Sequence, residues 1–116
     1  LKKSYSVDKV CLVGFSQGAM ISYEAGIRHS DVMDDIICFG GILYDDRFDA
    51  KDFEAGKKLR VLIAHGFSDA SVSIADAEKA RDLLRGYGYE VTFISFEGGH
   101  FVPAEVLAEA LKWTNK

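Results

Sequence analysis

Four short runs of this 116-residue sequence are apolar almost throughout instead of alternating with polar residues: 9–14 (KVCLVG), 36–43 (IICFGGIL), 59–65 (LRVLIAH) and 90–96 (EVTFISF). A strand with one face in water alternates in polarity, so continuous runs of this length predict strands covered on both faces. Helix-like stretches lie between and after them at about 17–29, 74–86 and 103–114. The second carries Ala77, Ala80, Leu83 and Leu84 at helical spacing and stops at Gly86. Residues 44–58 (YDDRFDAKDFEAGKK) are polar with few apolar anchors and predict a crossover excursion or a short helix. The order β-α-β-β-α-β-α requires helical crossovers between parallel strands. The expected fold class is therefore α/β, three-layer, with a mostly parallel sheet of about four strands, as a single domain over 1–116.

Composition supports a packed domain: 48% hydrophobic, 28% charged and one proline exclude disordered and collagen-like chains. The net charge is −4 and the Lys and Arg residues are scattered, so no footprint for nucleic acid or an anionic membrane is visible, and a small organic substrate fits better. Cys11 and Cys38 sit inside apolar runs, as expected of buried thiols and not of a disulfide or metal site. No apolar run reaches the roughly 18 residues needed to span a bilayer, and no export signal is laid out. Integral membrane association is not expected, and a cytoplasmic setting is the default.

The sharpest motif is Gly14-Phe15-Ser16-Gln17-Gly18, which follows the first strand directly and opens the first helix. A serine at such a strand-to-helix turn is held in strained backbone geometry with its hydroxyl lifted above the sheet. Gly14 and Gly18 are expected because side chains there would collide with the turn. A serine hydroxyl is a weak nucleophile, so the motif calls for a histidine to take its proton and a carboxylate to orient that histidine, in the chain order Ser, Asp, His.

Three histidines compete. His29 ends the first helix and reads as a cap or a solvent-facing residue. His65 ends the third strand, where it can pack or hydrogen-bond locally. His100 follows the fourth strand in Glu97-Gly98-Gly99-His100, a loop at the carboxyl edge where parallel sheets gather their chemistry. Asp69, in His65-Gly66-Phe67-Ser68-Asp69, reaches the same edge. Asp45 and Asp46 also follow a strand but begin a solvated charged segment, and Asp76 and Glu78 fall inside a helix. Ser71 or Ser73 can cap that helix, which leaves Asp69 free. The expected catalytic set is Ser16, Asp69 and His100, with the Gln17 backbone N–H as an oxyanion donor. Phe15, Phe67 and Phe101 neighbour the three and are candidates for an acyl pocket, or for ordinary core.

Together GFSQGA, HGFSDASV and GGHFVPAE resemble the carboxylesterase/phospholipase family of α/β hydrolases, the group that includes acyl-protein thioesterases. The resemblance spans the whole chain. It is carried by the elbow with small Ala19 after it, by the HG-x-x-D-x-x-V pattern of His65, Gly66, Asp69 and Val72, and by Gly98, Gly99 and His100. It implies a serine hydrolase that cleaves carboxylic esters, thioesters or lysophospholipids through an acyl-enzyme, without metal or organic cofactor. Such hydrolases run to about 200 residues or more, and this sequence begins just before the nucleophile strand, so it reads as the C-terminal catalytic half of the fold. The earlier strands and the loop that supplies a second oxyanion donor are then expected to lie elsewhere. Strand 9–14 would become an open edge that residues 1–8 (LKKSYSVD) are too short and polar to cover, which favours self-association or pairing with an N-terminal half. The competing reading is a truncated or degenerate hydrolase that serves as a non-catalytic binding or assembly module.

Overall fold

A computed structural model describes residues 9–115. Its strands are β1 (Cys11–Phe15), β2 (Asp35–Phe39), β3 (Arg60–Gly66) and β4 (Glu90–Phe96), and its helices are α1 (Gln17–Arg28), α2 (Ala50–Ala55), α3 (Ile74–Gly86) and α4 (Ala104–Trp113). The strands form one parallel sheet in the order β1-β2-β3-β4. The α/β class, the parallel sheet and the strand count all match the expectation from sequence.

The period of two along each strand decides what lies on each face. Ile36 and Cys38 of β2, with Val61 and Ile63 of β3, meet Ala19, Tyr23 and Ile27 of α1, Phe53 of α2, and Ala77, Ala80 and Leu84 of α3. The intervening Ile37, Phe39, Leu62 and Ala64 meet Val106, Ala110 and Trp113 of α4. Three helices therefore cover one face and one helix the other. The central β2 and β3 are buried almost throughout, as continuous apolar runs should be.

At the sheet's amino edge Asp35 is buried and receives a two-pronged hydrogen bond from Arg60, both at 2.9 Å. The Arg60 guanidinium lies over the Trp113 ring and ties the end of α4 to the strands. Burying a charged pair is tolerated only with such full pairing. Cys11 is partly buried and Cys38 fully so, and both are free thiols; burial pushes each thiol above its usual pKa. No helix among the described residues is long and apolar enough to cross a membrane.

One expectation needs correction. The second strand was expected to run over 36–43, but it stops at Phe39. Gly40 adopts φ +59, a backbone state that side-chain-bearing residues rarely accept, and turns the chain out of the sheet. Leu43 then enters the core beside α1 and α2. The first strand has an apolar run suited to burial on both faces but was expected to become an open edge, and Val13 and Phe15 are indeed 47% and 40% exposed. Among the described residues β4 is one edge of the sheet and β1, which pairs with β2 alone, is the other. The segment 1–8, expected to leave that edge uncovered, lies outside the described residues.

Candidate active site

Because the sheet is parallel, every strand delivers its following loop to the same edge, and four loops converge there. Ser16 lies between the end of β1 and the start of α1 at φ 57, the one positive φ outside glycine among the described residues. A non-glycine residue in that region costs on the order of 1–3 kcal/mol and persists only where its surroundings enforce it. Here Ser16 N donates to Phe39 O at 2.8 Å, and Ser16 O accepts from Ala19 N and Met20 N as α1 begins.

The two glycines of the motif differ in their reason for being there. A Cβ on Gly14 would fall on the carbonyl of Gly18, which is backbone and cannot move aside. A Cβ on Gly18 would meet nothing within 4 Å, so the expectation that both glycines avoid the turn holds for Gly14 alone.

Ser16 Oγ lies 3.0 Å from His100 Nε2, and His100 Nδ1 lies 2.7 Å from Asp69 Oδ2. A carboxylate only accepts, so Nδ1 carries the hydrogen and Nε2 faces the hydroxyl as an acceptor. The three side chains form one hydrogen-bonded chain although Ser16 and His100 are 84 positions apart. Asp69 is 1% exposed at its side chain, and its other oxygen, Oδ1, accepts from Ser71 N at 2.9 Å and Val72 N at 2.8 Å. Burial pushes this carboxyl upward, but the donors Val72 N, His100 and Ser71 N outweigh it and hold the group below its ordinary value, as a carboxylate. Ser73, not Asp69, caps α3 through Ala75 N.

Glycines make room for this chain of groups. A Cβ on Gly40 would lie 3.3 Å from the His100 ring and 3.5 Å from Asp69 Oδ2, so the left-handed turn that ends β2 passes close against the His100–Asp69 pair. A Cβ on Gly66 would run into the carbonyls of Gly98 and Gly99, and Ser68 N donates to Gly98 O at 2.9 Å, which packs the Asp69 and His100 loops together. These close approaches were not read from the sequence, although the pairs Gly40-Gly41 and Gly98-Gly99 after strands were the available signal.

The Phe15 ring lies 4.7 Å from that of His100, centroid to centroid, and Phe101 meets Phe96 edge-on at 6.0 Å. Phe15, Phe67 and Phe101 are all exposed, so they are not core. The backbone N–H groups of Gln17 and Gly18 precede the first donors of α1 and bond to no backbone acceptor among the described residues, at the positive end of that helix. A cavity of about 630 Å³ begins at Gln17 and runs along the outer side of α1, between Met20 and Ile21 on the helix and Leu43 and Tyr44 beyond β2.

The remaining candidates lie apart from this chain of groups. His29 caps α1 at its far end and is exposed. Asp45 and Asp46 form a short 3₁₀ turn with Arg47. Asp76 and Glu78 lie within α3. Among the described residues no group of three or more His, Cys, Asp or Glu side chains is placed to hold a metal ion.

The profile of a family described as phospholipase/carboxylesterase matches residues 1–116. A curated relative, acyl-protein thioesterase 1 of Gibberella zeae, is 28% identical over 113 residues, which are 94% of this chain and 48% of the relative. Acyl-protein thioesterase 1 of Neurospora crassa is 28% identical over 86% of this chain and 42% of its own length. The chain thus spans about half the length of the curated relatives it matches. Among solved structures, esterase PE8 superposes with a TM-score of 0.76 at 30% identity, covering 90% of this chain and 48% of that one. Acyl-protein thioesterase 2 of Zea mays superposes at 0.79 with 20% identity, over 97% of this chain and 58% of that one, a likeness of fold.

Proposed function

Because the chain belongs to the phospholipase/carboxylesterase family, we propose that it carries the catalytic groups of a serine hydrolase for carboxylic esters and thioesters, with Ser16 as nucleophile, His100 as general base and Asp69 as the carboxylate that orients it. The observation that carries the proposal is the continuous hydrogen bonding from Ser16 Oγ through His100 to Asp69.

In the proposed reaction Ser16 Oγ attacks the acyl carbonyl as His100 Nε2 takes its proton, and the carbonyl oxygen becomes an oxyanion. The Gln17 N–H, at the start of α1, donates to that oxygen, and the helix dipole favours its charge. His100 then gives the proton to the leaving alcohol or thiol as its bond to the acyl carbon breaks. Water, deprotonated by the same nitrogen, attacks the acyl carbon; the bond to Ser16 Oγ breaks, His100 returns the proton to that oxygen, and the acid leaves. Asp69 stays ionised throughout and stabilises the imidazolium that forms in each half-reaction.

Substrate class follows from the surroundings. Phe15, Phe67 and Phe101 offer an exposed apolar rim, and the cavity that begins at Gln17 has Met20, Ile21 and Leu43 on its wall, apolar side chains suited to an acyl chain, with Glu24, Arg28 and Arg47 farther along. The curated relatives named acyl-protein thioesterase bring thioesters within the same proposal. The open β1 edge is proposed as the seat of a further strand, either from a second copy or from an N-terminal segment of this fold.

The choice of carboxylate is tested by a matched pair of variants. In a preparation that hydrolyses a short activated ester, Asp69→Asn is expected to lower kcat by about 10⁴-fold, the loss seen when a serine protease suffers the same change. Asp46→Asn, at the exposed 3₁₀ turn, is expected to leave kcat unchanged. Equal losses from the two would remove Asp69 from its role.

A further inference from the structure

The pattern His65-Gly66-x-x-Asp69-x-x-Val72 contains a second histidine to which the proposed reaction assigns no part. His65 is fully buried, its Nε2 lies 2.7 Å from Val72 O and 3.5 Å from Asp69 Oδ2, and its Nδ1 is buried with no hydrogen-bond partner among the described residues. A carbonyl and a carboxylate both accept, so Nε2 carries a hydrogen, aimed at Val72 O with Asp69 Oδ2 beside it.

Val72 is thereby held at both ends of its backbone: its N–H donates to Asp69 Oδ1 and its carbonyl accepts from His65. Ser71 N supplies the second donor to Oδ1. With Oδ1 fixed in this way, Oδ2 has one direction left, toward His100 Nδ1 at 2.7 Å. An apolar residue could fill the same space without leaving a bare nitrogen, and an unsatisfied buried polar atom lowers stability. The imidazole is therefore in place for its other nitrogen.

We propose that His65 is a positioning residue: by closing the 65–72 loop through Val72 O and setting its Nε2–H beside Asp69 Oδ2, it fixes the carboxylate that orients His100. The inference rests on the triad reading above and adds the group that sets the geometry of its acid.

Three substitutions separate positioning from mere filling. The amide nitrogen of His65→Gln reaches the place of Nε2, that of His65→Asn falls short of Val72 O, and His65→Leu fills the volume without a donor. The readout is the low-field proton resonance of the His100 Nδ1–H bonded to Asp69, recorded at fixed pH on the 116-residue chain, with circular dichroism to confirm the fold. Wild type and His65→Gln are expected to show the resonance, and folded His65→Asn and His65→Leu to lose or broaden it. In an ester-hydrolysing preparation the latter two should lose about 10–10²-fold in kcat with KM little changed, as expected of a misplaced catalytic group. A folded His65→Asn or His65→Leu that keeps both resonance and kcat would overturn the proposal, as would a folded His65→Gln as impaired as they are. If wild type itself lacks the resonance while folded, the triad reading fails first and this inference falls with it.

Discussion

Ser16→Ala and His100→Ala are each expected to lower ester turnover by about 10⁶-fold, and the double variant is expected to lose little more than either single one. The magnitude is the one measured for the corresponding groups of a serine protease, where nucleophile and base act as a unit and their losses do not add. The reason lies in the 3.0 Å contact between Ser16 Oγ and His100 Nε2. Without the imidazole the hydroxyl keeps its proton, and without the hydroxyl the imidazole has nothing to activate. Initial rates with an activated ester, measured on the two single variants and the double variant, check the expectation. Additive losses would mean that the two side chains act independently and that their hydrogen bond is not part of the reaction.

The second large effect concerns association. β1 offers a row of backbone groups at the sheet edge, and its five residues, CLVGF, include neither proline nor a charged side chain that would discourage pairing. Val13 and Phe15 are exposed beside it, and Ile21 of α1 is 66% exposed. Another strand laid along β1 would satisfy those backbone groups and bury this apolar area at roughly 25 cal/mol per Å². The isolated 116-residue chain is therefore expected to scatter light as a species heavier than its 12.8 kDa monomer. Val13→Lys, a charge on the edge, should return it toward the monomer. A clean monomer for the unsubstituted chain, or a Val13→Lys chain as heavy as the unsubstituted one, would contradict this.

Much of this was legible in the letters. Continuous apolar runs located β3 and β4 to within a residue or so, and for β3 the reason is that a strand inside a parallel sheet has no polar face to confuse the pattern. The end of β2 was not legible: Ile42 and Leu43 continue the apolar run, but the chain turns out of the sheet at Gly40 with its left-handed φ, and Leu43 joins the core beside α1 and α2. Exposure of Val13 and Phe15 was legible: their run fits burial on both faces, but a strand left without a neighbour at the sheet edge exposes that apolar surface.

At the site, Ser16 stood out because strand, glycine-flanked serine and helix follow one another without a gap, and the loops of Asp69 and His100 could be placed at the same edge once the sheet was parallel. Contacts between those loops were beyond the sequence. The approach of Gly40 to the His100 ring, and the closing of the 65–72 loop by His65, each depend on side-chain directions that residue spacing does not specify. Gly18 is the opposite case: the motif suggested a steric need that the open space around it does not support.

The central claim is that Ser16 carries an activated hydroxyl, and mass spectrometry after incubation with a fluorophosphonate tests it most directly. Phosphonylation of serine requires the imidazole to remove the proton but no turnover of an acyl-enzyme, so it reads the Ser16–His100–Asp69 chain without a complete substrate site. The account predicts a single covalent adduct that maps to the peptide bearing Ser16, slowed sharply by His100→Ala and absent in Ser16→Ala. A folded wild-type chain that takes up no adduct, or one labelled equally in wild type and Ser16→Ala, would contradict it.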